Sequence, residues 1–262
     1  MPRAKLPPSH KRVRGGIIGE CILCLRVAPL RLGHVVPRWM YTWVKAEGGG
    51  RLHGQYPSLG IEHEVTQDAP KHYSLCESCE QLMSVSEQYM RDLMVGGPDG
   101  WSRIGVREDS LVLNGLDFSL IQRFLLGTAL RAHFGTGAEF HSLHLPLEQV
   151  DRIRRALVSG PALDTEFPTI AVRYVSTRFP DADPRAFVYP MLLSSPGHAL
   201  AFSLFAAGWD WRVFLCGDDS SGAGSFFDYR LRAGTGFLAV VYELADCPFL
   251  RAIVPHRNQA TG

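Results

Sequence analysis

The chain has 262 residues, 46% of them hydrophobic, and a formal net charge of +1 at pH 7. This length suits either one large domain or a small domain joined to a medium-sized one, with ample apolar residues for a core. No run of about eighteen apolar residues occurs, which excludes a membrane-spanning helix, and the first residues lack the apolar core of a signal peptide. We therefore expect a cytoplasmic protein whose cysteines are reduced and free to bind metal.

Charge is unevenly distributed along the chain. Residues 1–45 contain nine Lys or Arg side chains and one acidic side chain, whereas the other 217 residues contain 18 basic and 25 acidic ones. A basic end of this kind is typical of contact with a polyanion, so nucleic acid is the expected partner. A terminus that only aids solubility is the alternative. The candidate nucleic-acid-binding side chains are Lys11, Arg12, Arg14 and Arg38.

Four of the six cysteines form two pairs, Cys21-Ile-Leu-Cys24 and Cys76-Glu-Ser-Cys79. Each C-x-x-C pair puts two sulfurs on one tight turn, and two such turns supply the tetrahedral ligand set that a structural Zn²⁺ prefers. Four unrelated buried cysteines are the alternative. The other two, Cys216 and Cys247, lack a C-x-x-C partner, and we expect them to be buried small residues.

The predicted elements of the first third surround these pairs. Residues 1–16 are expected to be a disordered basic tail, residues 17–31 a turn-rich β unit, and residues 38–45 a short helix after Pro37. Residues 50–70 are predicted to be a loop that leads to a strand at 73–75. A helix should follow over residues 77–94, with Leu82, Val85, Tyr89 and Leu93 packed inward. This order is that of a treble-clef zinc fold, so residues 17–95 are predicted to form a zinc domain.

Residues 96–262 have a different character, and we predict a second, helical plus antiparallel β domain there. One helix is expected over residues 116–133. A second begins at Pro146, ends at Gly160 and buries Leu147, Val150, Ile153 and Leu157. After Pro168 the pattern favours strands, with apolar segments at 170–174, 186–193, 199–206, 211–216 and 237–244. The expected fold class is α+β, with the treble-clef module followed by a helical segment and a mostly antiparallel sheet.

The segment Gly33-His34-Val35-Val36-Pro37 lies between the two cysteine pairs. A first C-x-x-C, a strand that carries His, and a second C-x-x-C that opens a helix together resemble the zinc-bearing HNH, or His-Me finger, endonucleases. This resemblance covers residues 17–95. The run from Gln67 to Glu80 and the helix from Asp117 to His133 are further similar to a little-characterised bacterial family of HNH-like proteins, over about residues 17–160.

The HNH resemblance implies a catalytic role for His34. In that family, a histidine at this position acts as general base on a water that attacks a DNA phosphodiester, and a nearby divalent ion stabilises the leaving oxygen. The chain departs from the family at the residues that bind the divalent ion. Gly33 stands where Asp is frequent, and Glu80 stands where His is usual. Glu80 can still offer an oxygen to Mg²⁺ or Mn²⁺, with Glu87 on the same helical face, and His72 is a further catalytic candidate.

Two functions follow from these observations. The first, which we expect, is a zinc-stabilised, HNH-like endonuclease that cleaves DNA with His34 as general base, such as a bacterial defence effector whose C-terminal domain binds a protein partner. The second is a non-catalytic zinc-binding subunit that contacts nucleic acid or protein in a larger complex. In the second case His34 is a structural histidine, His72 caps a strand, and Glu80 and Glu87 are solvated carboxylates. A shared open cleft for His34 and Glu80 favours the first function.

Overall fold

The computed structural model describes residues 11–13, 16–45, 52–56, 61–66, 69–95, 104–107, 110–113, 115–140, 143–160, 166–175, 187–193, 200–206, 209–215 and 237–243. These stretches form an α+β protein, as expected, with a small antiparallel sheet and four clustered cysteines near the N-terminus. Thirteen strands and four α-helices occur in the described stretches.

The N-terminal sheet contains the strands that flank the cysteines. Its strand order is β1-β2-β3-β6, all antiparallel, with the bounds β1 Lys11–Val13, β2 Gly16–Glu20, β3 Val27–His34 and β6 Lys71–Cys76. Between β3 and β6 the chain forms helix α1, Arg38–Lys45, and a separate hairpin of β4, Leu52–Tyr56, and β5, Ile61–Thr66. Helix α2, Glu77–Val95, begins directly after β6.

Two predictions for this region are wrong. Residues 50–70 were expected to be a loop, but they contain the β4–β5 hairpin, whose strands alternate too weakly in hydrophobicity to be recognised. The tail predicted over residues 1–16 is not disordered at Lys11–Val13, which pairs with β2. Backbone hydrogen bonds hold this short edge strand, and they leave little trace in the side-chain pattern. Residues 1–10 and 14–15 of the tail lie outside the described residues.

Two long helices confirm the sequence prediction for the middle of the chain. Helix α3, Phe118–His133, starts at Asp117, whose side chain accepts the Leu120 backbone N–H at 3.1 Å. Most of its side chains are buried, so α3 lies at the centre of the core. Helix α4, Leu147–Ser159, begins after Pro146 and ends at Gly160, which has a φ of 85°.

The inward faces of α2 and α4 differ in part from the prediction. In α2 the chain buries Met83, Ser86, Met90 and Met94, while Val85 is 56% exposed and Leu82, Tyr89 and Leu93 are half-buried. The helix is rotated in this way because its inward face also carries Glu80 and Glu87, which pair with a charged residue of α3. In α4, Val150, Ile153 and Leu157 are buried as expected, but Leu147 is 73% exposed in the first turn.

The C-terminal sheet has the strand order β10-β11-β12-β9-β13-β8-β7 and is antiparallel except where β13 pairs with β9. The later strands confirm the predicted β segments, whereas β7 and β8 were not predicted. The strand bounds are β7 Ile104–Arg107, β8 Ser110–Leu113, β9 Thr169–Val175, β10 Phe187–Leu193, β11 Ala201–Ala206, β12 Trp209–Phe214 and β13 Phe237–Glu243.

One buried apolar cluster joins the two halves of the chain. It includes Cys21 and Leu75 beside the cysteine pairs, Phe124 in α3, and Trp211 in β12. The predicted division into domains at residue 96 stays a prediction, but the described residues on its two sides share this core.

Candidate metal centre

The structure brings together the four cysteines of the two C-x-x-C pairs. The Sγ atoms of Cys21, Cys24, Cys76 and Cys79 all lie within 4.8 Å of one another, and all four thiols are free. The Sγ atoms of Cys24 and Cys76 are 3.8 Å apart. Four sulfurs at about 2.3 Å from a central Zn²⁺ in a tetrahedron would be separated by roughly 3.8 Å. The four cysteines could therefore hold a metal ion.

The backbone of each turn fixes the position of its sulfurs. In the first turn, the Leu25 N–H donates to the Cys21 carbonyl at 2.9 Å, and the Cys21 N–H donates to the Arg26 carbonyl at 3.0 Å. Leu25 has a φ of 62°, which lets the chain reverse within this turn. In the second turn, the Cys76 N–H donates to the Cys21 Sγ at 3.4 Å. The second pair lies where β6 passes into α2, so its sulfurs are held by two regular elements.

A bound cation would favour full ionisation of the four thiols. Burial opposes ionisation of Cys76, but hydrogen bonds that involve the Ser78 hydroxyl and the Cys79 N–H lower its pKa to about 6. Burial raises the pKa of Cys79, and the neighbouring Cys76 and Cys21 sulfurs raise it further. The cluster can thus ionise in part by itself, and a metal ion would supply the positive charge that full ionisation needs.

Glu80 and Glu87, the carboxylates considered for a divalent ion, are already paired with a cation. The Arg131 side chain is only 5% exposed; its Nη2 lies 3.0 Å from Glu80 Oε2, and its Nη1 contacts Glu87 Oε1. Burial raises the pKa of Glu80, an effect that Arg131 opposes. A Mg²⁺ or Mn²⁺ ion bound by these oxygens would have to displace the guanidinium or lie beside it. Arg131 therefore competes with a second, catalytic metal ion for these two carboxylates.

Gly33 borders this ion-pair cluster, while His34 continues along the strand. A Cβ at Gly33 would lie 2.6 Å from Glu80 Oε1, so Glu80 fills the space that an Asp at position 33 would need. Successive residues of a strand project to opposite faces of the sheet. Gly33 faces Glu80, so the His34 side chain projects from the opposite face. The half-buried His34 ring instead lies near Tyr41, with ring centroids 6.4 Å apart.

His72 pairs with Gly33 in the sheet and contacts a loop after α3. Its Nε2 accepts the Thr136 backbone N–H at 3.3 Å, and its Nδ1 lies 3.4 Å from the Thr136 Oγ1. Burial lowers the pKa of His72, which favours the neutral ring that this contact needs. The three catalytic candidates thus lie near the same end of β3 and β6, but each has its own neighbours.

The predicted phosphate-binding residues lie on or near the small sheet. Lys11 and Arg12 belong to its edge strand β1, and Arg38 is exposed at the start of α1. Arg14 lies outside the described residues. Three of the four candidates therefore lie on described elements in the N-terminal part of the chain.

Sequence reasoning missed Arg131 and Arg26. Arg131 follows Phe124 and Thr128 at helical spacing on a buried face, and Glu80 and Glu87 share a helical face; together these are the signal of a buried ion pair. Arg26 stands two residues after Cys24, and hydrogen bonding to Cys24 is the main cause that raises its pKa. A basic residue so near a predicted thiolate could have been recognised as its partner.

Comparisons of the chain with models of protein families, with curated proteins and with solved structures gave no match. The likeness to HNH endonucleases therefore rests on the motif in the chain and stays a prediction. Among the described helices, none is long and apolar enough to cross a membrane.

Proposed function

We propose that this protein is a zinc-stabilised, HNH-like treble-clef protein that binds nucleic acid without cleaving it. Cys21, Cys24, Cys76 and Cys79 hold a structural Zn²⁺ that joins β3 to the start of α2. The order of cysteine turn, strand, second strand, cysteine turn and helix supports a treble clef. The N-terminal basic residues supply contacts to the phosphate backbone.

The observation that carries the choice of a non-cleaving protein is Arg131. Its guanidinium is bound by Glu80 and Glu87, the carboxylates that a hydrolytic metal ion would require. A guanidinium can neutralise these acids, but it cannot lower the pKa of a bound water or hold one in an inner coordination shell. His34, whose ring lies near Tyr41, then has a structural role at the end of β3.

The zinc part of the proposal is tested by elemental analysis of the purified protein. We expect about one zinc per chain. Cys76→Ser should lose it, whereas Cys216→Ser, the matched control outside the two pairs, should retain it. A wild-type protein with no bound metal would contradict a structural zinc site.

The nucleic-acid part is tested by fluorescence anisotropy with a labelled DNA duplex over a range of salt concentrations. Lys11→Ala/Arg12→Ala should weaken binding and reduce the slope of log K against log salt by about two, since each phosphate contact contributes roughly one. Arg91→Ala/Arg155→Ala, which removes two exposed arginines outside the N-terminal basic region, is the control for net charge. Binding that is absent, or that is equally affected by both changes, would argue against this function.

An HNH-like endonuclease is the second candidate, because His34 stands half-buried at the end of β3, between the two cysteine pairs. Incubation of supercoiled plasmid with the zinc-loaded protein and Mg²⁺ or Mn²⁺ separates the two functions. We expect no nicking. Metal-dependent nicking that His34→Ala abolishes would establish the endonuclease instead.

A further inference from the structure

The open side of the cysteine cluster is at Cys24. Cys21, Cys76 and Cys79 are buried, whereas Cys24 is only partly buried. A chelator, a competing thiol or water would approach a bound metal ion from this side. Side chains that lie over Cys24 therefore affect how tightly the ion is bound.

Two polar side chains lie on this side and connect the two turns. The Arg26 Nη2 donates to the Ser78 Oγ at 3.4 Å. Burial opposes ionisation of Cys24, but the neighbouring Arg26 side chain lowers its pKa. The Ser78 Oγ in turn lies 3.3 Å from the Cys76 Sγ. Arg26, which follows the first turn, is thus linked through Ser78 to a sulfur of the second pair.

Four thiolates around one Zn²⁺ carry a net charge of −2. Hydrogen-bond donors and a cation next to such a site stabilise the charge on the sulfurs and keep the ligands oriented, and loss of one such partner usually costs 10- to 100-fold in metal affinity. Arg26 can provide both effects, because its guanidinium is positively charged and carries several N–H donors in a fixed plane. Ser78 provides one hydroxyl donor.

We propose that Arg26 and Ser78 form an outer layer of the zinc site, which holds the Cys24 and Cys76 sulfurs in place and retards loss of the ion from the open side. This inference rests on the zinc site proposed above. Arg26 and Ser78 act through the sulfurs and are positioning residues. Arg31, by contrast, is an exposed arginine of the same strand region whose guanidinium contacts Glu77 rather than a sulfur.

The test compares zinc-loaded wild type with Arg26→Ala, Arg26→Lys, Ser78→Ala and the control Arg31→Ala. Zinc affinity is measured by equilibrium competition with a chromogenic chelator, and the rate of transfer to the chelator is recorded. Arg26→Ala should bind zinc about tenfold more weakly and release it faster. Arg26→Lys, which keeps the charge but not the planar set of donors, should be intermediate, and Arg31→Ala should equal wild type.

Co²⁺ substitution provides a readout that a general loss of stability would not change. A thiolate that loses a hydrogen-bond donor gives up its electron more readily, so the sulfur-to-cobalt absorption band of Arg26→Ala should move to longer wavelength. If wild type binds zinc but Arg26→Ala matches it in affinity, release rate and cobalt spectrum, the proposal of an outer layer is wrong, whereas the zinc site itself is supported. If wild type binds no zinc, both proposals are overturned.

Discussion

At the scale of single residues, the proposal of a non-cleaving protein rests on the charge cluster of Arg131, Glu80 and Glu87. Removal of one partner from a buried ion pair is costly because it leaves the other charges unpaired, whereas removal of all partners is far less so. We predict that Arg131→Met lowers the free energy of unfolding by about 3 kcal/mol. The triple variant that also carries Glu80→Gln and Glu87→Gln should recover most of that loss, as measured by urea unfolding.

The half-buried Arg123 of the same helix offers the control for this prediction. Arg123→Met changes the same chemical groups in α3 away from the two glutamates, and it should change the free energy of unfolding by less than about 1 kcal/mol. Equal losses for Arg123→Met and Arg131→Met, or no recovery in the triple variant, would mean that the ion pairs contribute little.

His133 gives the protein a predicted dependence on pH. Its Nδ1 accepts the Leu145 backbone N–H at 3.0 Å, which requires the neutral ring, and burial, with His144 and Arg154 nearby, lowers its pKa to about 4. In the unfolded chain the pKa of histidine is about 6.5, so the unfolded state binds more protons between these values. The stabilisation is complete above about pH 6.5 and is lost as the pH falls towards about 4.

His133→Asn keeps an acceptor near the Nδ1 position and removes the titration. The free energy of unfolding of wild type relative to this variant should therefore be constant above about pH 6.5 and should decrease at lower pH. Urea unfolding of both proteins at pH 7, 6 and 5 measures the difference. Parallel curves over this range would show that His133 does not titrate differently in the folded and unfolded states.

At the scale of elements, the packing of helix α2 shows which of its faces is buried in the core. Met90 is fully buried and Val85 is 56% exposed, although a simple hydrophobic stripe would bury Val85. We predict that Met90→Ala lowers the free energy of unfolding by about 2–5 kcal/mol, because it removes a side chain from a packed core. Val85→Ala should change it by less than about 0.5 kcal/mol. Comparable losses for both would place the buried face elsewhere on the helix.

The same helix shows how much of the fold can be predicted from sequence. The bounds of α1, α2, α3 and α4 and the later strands follow from local signals such as Pro146, Gly160 and apolar periodicity. The orientation of α2 does not, because the inward-facing Glu80 and Glu87 pair with Arg131, which lies 51 and 44 residues later in the chain. Strands β4, β5, β7 and β8 also lack a clear local signal, since backbone pairing rather than side-chain alternation defines them.

The candidate site was predictable to a similar extent. The spacing of two C-x-x-C pairs is sufficient to expect four sulfurs around one ion, and the structure brings the four sulfurs together. The neighbours of Glu80 and His72 were not predictable, because Arg131 lies 51 residues after Glu80 and Thr136 lies 64 residues after His72. Tyr41 is close to His34 in sequence, but the turn between β3 and α1 decides whether their rings meet. A motif fixes ligands on adjacent turns but not the side chains that long-range packing brings to them.

At the scale of the whole molecule, the cysteine turns are tied to the helices that follow them. Arg154 of α4 donates from Nε to the Ile22 carbonyl at 2.7 Å, inside the first cysteine turn, and its guanidinium lies 5.5 Å from the centre of the Phe134 ring. Ile22 itself is buried and belongs to the common core. A metal ion that orders this turn would therefore also stabilise α4, although the two are 132 residues apart in sequence.

This coupling predicts the effect of metal removal on hydrogen exchange. In wild type, chelation of the metal should reduce amide protection in β3 and β6 and also in α4, because α4 loses a fixed acceptor for Arg154 when the first turn opens. In Arg154→Ala the contact is already absent, so chelation should still affect β3 and β6 but should change α4 much less. Arg155→Ala, which removes the exposed neighbouring arginine, should respond as wild type does. Protection of α4 that is unchanged by chelation in wild type would show that the zinc site stabilises only its own turns, and that the contact between Arg154 and Ile22 does not transmit the effect.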